Sequence, residues 1–161
     1  MFGWEFPPHI TGGLGTACFG LTKGLLKNGV EVLFVVPRSY GDEDQQAVRL
    51  INASDIRIDI KDKLYQEYWK QLTYIEIGSN LIPYVGEEEF QKMIAVNTPD
   101  KTEEHCSVFS NQYTFSGKYG KNLMEEVTRY ALVASTIAGS QQFDVIHAHD
   151  WLTYPAGIAA K

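Results

Sequence analysis

Met1-Phe-Gly-Trp-Glu-Phe-Pro-Pro-His-Ile-Thr-Gly-Gly-Leu-Gly15 is the stretch whose reading decides the fold. It reads as the end of a strand, then a proline-stiffened loop, then a glycine cluster that opens a helix. Gly12, Gly13 and Gly15 leave the backbone bare where that helix begins. The first N–H groups of a helix have no intrahelical partner, and the helix dipole favours negative charge there. A phosphate or a sugar hydroxyl can rest against such a backbone. A tight strand-to-helix turn that binds nothing would use the same glycines, so this stretch alone does not choose between the two.

Working outward, residues 16–27 read as a helix. Leu14, Ala17, Cys18, Leu21 and Leu25 recur at three- and four-residue steps and lay an apolar stripe along it. Gly29 suits a helix end. Val30-Glu-Val-Leu-Phe-Val-Val36 is nearly continuous and rich in β-branched residues, the pattern of a strand buried on both faces of a parallel sheet. Pro37 ends it. Strand, glycine turn, helix and strand make a βαβ unit with a right-handed crossover. Residues 38–46 read as a solvated loop. Residues 47–51, 56–60 and 72–77 read as short strands, pairing as an antiparallel flap beside the parallel sheet. Residues 79–121 carry the acidic run Glu87-Glu-Glu89 and no clear period. Tyr113, Phe115 and Tyr119 in that stretch either line a carbohydrate surface or are partly buried aromatics.

Residues 122–139 read as the clearest helix. Leu123, Val127, Tyr130, Ala131, Ala134, Ile137 and Ala138 recur at helical spacing, with Asn122 as cap and Gly139 as stop. Glu125, Glu126 and Arg129 sit off the stripe or at its border, and Glu125 and Arg129 have the spacing of a helical ion pair. Phe143-Asp-Val-Ile-His-Ala-His-Asp-Trp151 is a strand running into a loop. Val145, His147 and His149 share one face by period-two alternation. Open α/β sheets bind ligands at the carboxyl ends of their strands. His149, Asp150 and Trp151 are therefore expected on the same rim as Gly12 and Gly13. No Cys or Glu stands near enough in sequence to complete a metal set with these histidines, so no metal or other cofactor is expected. A rim histidine that donates a hydrogen bond to a sugar or phosphate fits better, beside the plainer reading of a core histidine satisfied by backbone.

Composition narrows the class. The 161 residues suit one domain able to bury about two-thirds of its unfolded surface. A net charge of −6 argues against a polyanion-binding face, so nucleic acid is not an expected partner. Cys18 and Cys106 match no zinc or redox spacing and read as reduced cytosolic thiols. No apolar run reaches the ~18 residues of a membrane span, and the start lacks a secretory signal, so a cytoplasmic protein is expected. Few residues precede the proline loop, and residues 155–161 begin like a helix and stop. A segment of a longer protein is therefore expected.

With both rim motifs in hand, Pro7-Pro-His-Ile-Thr-Gly-Gly-Leu-Gly15 and Val145-Ile-His-Ala-His-Asp-Trp151 together resemble the N-terminal domain of the glycogen/starch synthase family, retaining GT-B glycosyltransferases related to sucrose-synthase-like transferases. The strand after the first helix and the helix before His-Asp-Trp fit the same resemblance, which spans the chain. It implies a Rossmann-like α/β domain, doubly wound, with a mainly parallel sheet and helices on both faces. Residues 1–161 would be the acceptor-side half of a GT-B fold, with a C-terminal nucleotide-sugar domain as partner. The resemblance implies transfer of a glucosyl unit from ADP- or UDP-glucose to a glucan. It implies donor contacts from Gly12, Gly13, Leu14, Gly15 and Asp150, and catalytic roles for His149 and Glu126. One departure bears on the donor. The family typically carries Lys two positions before the glycine pair, where this chain has Ile10. A phosphate-facing cation is lost there, which gives weight to a sucrose-synthase-like or other GT-B transferase. A glucan-binding module is a further alternative. A NAD-type Rossmann enzyme fits poorly, because the turn is not Gly-x-Gly-x-x-Gly and no ribose-binding acid follows the second strand.

Overall fold

A computed structural model describes residues 1–43, 48–58 and 112–161. The expected strand at residues 72–77, the acidic run at 87–89 and Cys106 lie outside the described residues.

Helix α1 spans Gly13–Lys27, so it begins inside the glycine cluster rather than at Thr16. Its packed side is Leu14, Cys18, Thr22, Leu25 and Leu26, whereas Ala17 and Leu21 are exposed. Thr22 takes the place expected of Leu21. Its hydroxyl donates to Cys18 O at 2.8 Å, which removes the cost of burying it. The helix ends as a Schellman motif. Gly29 has φ 75°, its N–H bonds Leu26 O at 3.0 Å, and Val30 N bonds Leu25 O at 3.1 Å.

Strand β1, Leu33–Val36, pairs in parallel with β2, Arg49–Asn52, with Leu33 opposite Arg49. The antiparallel flap expected of residues 47–51 is thus corrected: β2 extends the parallel sheet. The connection from Pro37 to Val48 is long enough for the crossover that parallel pairing needs. An antiparallel contact does occur just beyond it, as an isolated bridge between Arg57 and Gln112.

The opening residues lie on the other side of β1. Phe2 bridges Val35 and Ala148, both in parallel. Gly3 N donates to Val35 O at 3.0 Å, Phe2 N to His147 O at 2.8 Å, and His149 N to Phe2 O at 3.1 Å. The lateral order is therefore β2, β1, the opening residues, then residues 147–149, all running one way. Chain order reverses across the opening segment, between β1 on one side and residues 147–149 on the other. Such a reversal is where an open parallel sheet leaves a crevice at its carboxyl ends.

Alternation along β1 sorts the core into two faces. Phe34 and Val36 pack with Phe6, Cys18 and Val48 on the α1 side. Val35 packs with Phe2, Trp4 and the apolar face of helix α2, Leu123–Gly139. The α2 side is tied to the sheet by the Tyr130 hydroxyl, which donates to Val35 O at 2.8 Å and lies 3.2 Å from Gly3 O. Gly3 leaves room for Phe34, whose ring lies 2.5 Å from where a Cβ would stand. Tyr113 and Phe115 are buried in this core rather than lining a surface. Glu126 and Arg129, read from sequence as border residues, are buried as well. Helix α3, Tyr154–Ala159, carries Pro155 in its first turn and packs on α2. Among the described residues no helix is long and apolar enough to cross a membrane.

Candidate active site

The segment after the opening strand climbs onto the carboxyl rim of the sheet. Pro7–Pro8 is a cis peptide, and His9 N donates to Phe6 O at 3.1 Å to close the turn. Glu5, buried below this turn, accepts from Thr11 N at 3.1 Å and from the Thr11 hydroxyl. That clasp delivers the chain to Gly12, the extended N-cap of α1, which has no side-chain cap.

The glycines of the turn differ in what surrounds them. A Cβ added at Gly12 or Gly13 would meet nothing within 4 Å. At Gly15 it would run into Ile10 Cγ2 and come 3.2 Å from Glu5 Oε2. Gly15 is thus required by packing. Gly12 and Gly13 are bare in front of open space, where a ligand could approach the backbone. Leu14 turns its side chain into the α1 core. Ile10 packs across Gly15, so it is a lid on the helix start as well as the residue in the expected lysine position.

The strand expected at residues 143–151 appears only as the bridge at Ala148, and His149 follows it. Its ring stacks on His147 at 4.2 Å and lies 6.3 Å from Phe34, so the two histidines share a face as their spacing requires. Its Nε2 is buried with no hydrogen-bond partner among the described residues. Burial pushes the imidazole down to about 4, with help from His147 and the chain amino terminus, so it is neutral at physiological pH. Asp150 sits at φ 70°, a left-handed conformation that Asp tolerates. Its Oδ1 accepts from Trp151 N at 2.6 Å. The Cys18 thiol, one turn into α1, is pushed up to about 11, chiefly by burial and also by the carboxylates of Glu5 and Asp150. His149 lies beside Phe34, whose ring packs with Cys18 of α1, so it stands on the α1 side of the sheet.

Glu126 lies elsewhere. Its oxygens accept from Ser116 N at 3.0 Å and Gly117 N at 3.2 Å, at the head of α2. Glu125 makes the expected ion pair with Arg129. Among the described residues no group of three or more His, Cys, Asp or Glu is placed to hold a metal.

A cleft of about 550 Å³ opens beside the glycine turn. Its floor is Trp4, Glu5 and Phe6, and its walls are residues 8–11, the loop after β1 and residues 117–119. The His9 ring lies tilted against Tyr40 at 4.0 Å and its Nε2 is 2.7 Å from Asp42 Oδ1, while the Arg38 guanidinium lies over the Tyr40 ring at 5.0 Å. Sequence reasoning pointed to Tyr119 in this cleft and missed Glu5, Arg38, Tyr40, Glu43 and Lys118. A signal for Glu5 was present: it is a carboxylate inside an otherwise aromatic strand, Phe2-Gly-Trp-Glu-Phe6. The loop after β1 had no such signal, because Glu43 sits in a run of acids that resembles a solvated loop.

A family model for the starch synthase catalytic domain matches residues 1–161. The chain belongs to the starch synthase catalytic domain family. It is also similar to an uncharacterized glycosyltransferase of Methanocaldococcus jannaschii, 39% identical over 57 residues, which cover 35% of this chain and 14% of that protein. No solved structure matches.

Proposed function

We propose that this starch synthase-type domain forms the acceptor-side wall of a GT-B active site, moving a hexosyl unit, glucosyl by resemblance, from a nucleotide-sugar to a saccharide acceptor. The observation that carries this is the pairing of two unmet needs on one rim. Gly12 and Gly13 present open backbone at a helix start, and His149 holds a buried nitrogen with no partner among the described residues. A donor diphosphate and its sugar would satisfy both.

In this reading the leaving diphosphate gains charge as the glycosidic bond breaks. The N–H groups of Gly13, Leu14 and Gly15 and the dipole of α1 stabilise that charge. His149 is neutral and keeps one ring proton, so it donates to a sugar hydroxyl without adding a cation. Asp150 holds the corner that aims it. The acceptor lies in the adjoining cleft, which Arg38, Tyr40, Lys118 and Tyr119 help to line. Ile10 supplies no charge to the phosphates. The cations nearest the cleft are Arg38 and Lys118, and a C-terminal domain supplies the rest of the donor pocket. Closure of the two halves excludes water, which otherwise competes as acceptor.

The test is an assay of the two-domain protein with ADP-glucose and with UDP-glucose, wild type against His149→Ala. Loss of a transition-state hydrogen bond is expected to lower turnover by about 100-fold or more. Full activity in the variant, or turnover by residues 1–161 alone, would overturn the reading. A glucan-binding module predicts instead saccharide binding with no donor binding.

A further inference from the structure

Three glutamates around the cleft share one arrangement. Each is buried, with 7% to 8% of its surface exposed, and each places its carboxylate on backbone N–H groups of a wall. Glu5 takes Thr11 N at 3.1 Å. Glu43 takes Tyr40 N at 2.6 Å and Gly41 N at 2.9 Å. Glu126 takes Ser116 N at 3.0 Å and Gly117 N at 3.2 Å. Thr11, Tyr40 and Gly117 stand in three separate stretches of chain, and all three stretches line this cleft.

We infer that Glu5, Glu43 and Glu126 are positioning residues that set the walls of the cleft, and that Glu126 shapes the acceptor seat rather than touching substrate. A buried carboxylate is costly unless its oxygens are bonded, and charged acceptors make the stronger bonds to N–H donors. Here those bonds hold loops that no regular element holds. Glu5 stands on the central strand segment and Glu126 on the first turn of α2, so rigid elements fix two of the walls. Gly117 completes the contact. At φ 67° it turns the third wall back until a Cβ there would lie 3.2 Å from Arg38 Cβ. Backbone N–H groups thus occupy the carboxylates, and the cleft's other lining includes His9, Arg38, Tyr40, Lys118 and Tyr119. The inference rests on the proposed acceptor cleft, and the experiment separates the two.

Uniformly 15N-labelled chain is followed by amide exchange and titrated with maltotetraose and, separately, with ADP-glucose and UDP-glucose. Glu126→Gln replaces one acceptor oxygen with an amide that opposes a backbone N–H. Exchange at Ser116 and Gly117 is expected to quicken by about tenfold or more, while the core of α2 stays protected. Maltotetraose binding is expected to weaken and nucleotide-sugar binding to hold. Glu43→Gln, on a loop outside the core, is expected to do the same at Tyr40 and Gly41 and covers the case that the α2 variant does not fold. Unchanged exchange at the clasped amides would overturn the inference. So would an equal loss of both ligands together with a general fall in protection, the mark of a merely structural residue. If the wild type binds no saccharide, the acceptor reading fails, and exchange at the clasped amides still decides the positioning roles.

Discussion

His149 and the glycines carry the sharpest single-residue consequences. An ordinary histidine titrates near 6.5, and His149 is held down at about 4 by burial. Between those values the unfolded chain binds more protons than the folded one, so stability falls as pH is lowered through that window. His149→Gln is expected to flatten the dependence of Tm on pH between about 4 and 6.5, read by thermal unfolding in a pH series. The buried amino terminus, pulled from 8.0 to about 6, acts in the same direction at higher pH and should persist in the variant. The glycines separate in a second measurement. Gly15→Ala forces a methyl into Ile10 and is expected to cost about 1–3 kcal/mol by denaturant unfolding. Gly13→Ala meets open space, so Tm should hold or rise while nucleotide-sugar binding weakens. Equal effects from the two would remove the distinction between a packing glycine and a ligand-facing one.

Elements were legible where period and terminators agreed. The helix after Asn122 was readable because its apolar stripe is long, and the structure places α2 at Leu123–Gly139. The end of α1 was readable at Gly29, whose positive φ only glycine adopts without strain. Gly29→Ala is expected to cost about 1 kcal/mol and to fray the last turn of α1, read as faster amide exchange at Val30. What the pattern missed was polar burial. Thr22, Glu43, Glu126 and Arg129 look like surface residues by type, and each is buried. Partners distant in sequence or supplied by backbone permit that, and hydrophobic periodicity cannot report them. Tyr130 shows the same point in a useful form. Its hydroxyl joins α2 to carbonyls of the opening segment and β1. Tyr130→Phe keeps the ring packing and removes the hydroxyl that donates to Val35 O. It is expected to lower stability by about 1–2 kcal/mol in denaturant unfolding.

At the scale of the whole molecule, the opening segment is the pivot. It is hydrogen-bonded to β1 on one side and to residues 147–149 on the other, which brings the two ends of the chain onto one rim. A family model for the starch synthase catalytic domain spans the same residues, 1–161. The sequence by itself determined the α/β class, α1 and α2, the parallel character of β1 and the two rim motifs, because each rests on local period, glycine chemistry or a resemblance carried by contiguous residues. Only the tertiary structure decided that β2 joins the sheet in parallel and that Tyr113 and Phe115 belong to the core. It also decided that Gly15 serves packing while Gly12 and Gly13 stay open, and that Glu5, Glu43 and Glu126 are buried against backbone N–H groups. Those features depend on which distant groups meet, and burial of a charge is settled by the partners the fold brings to it.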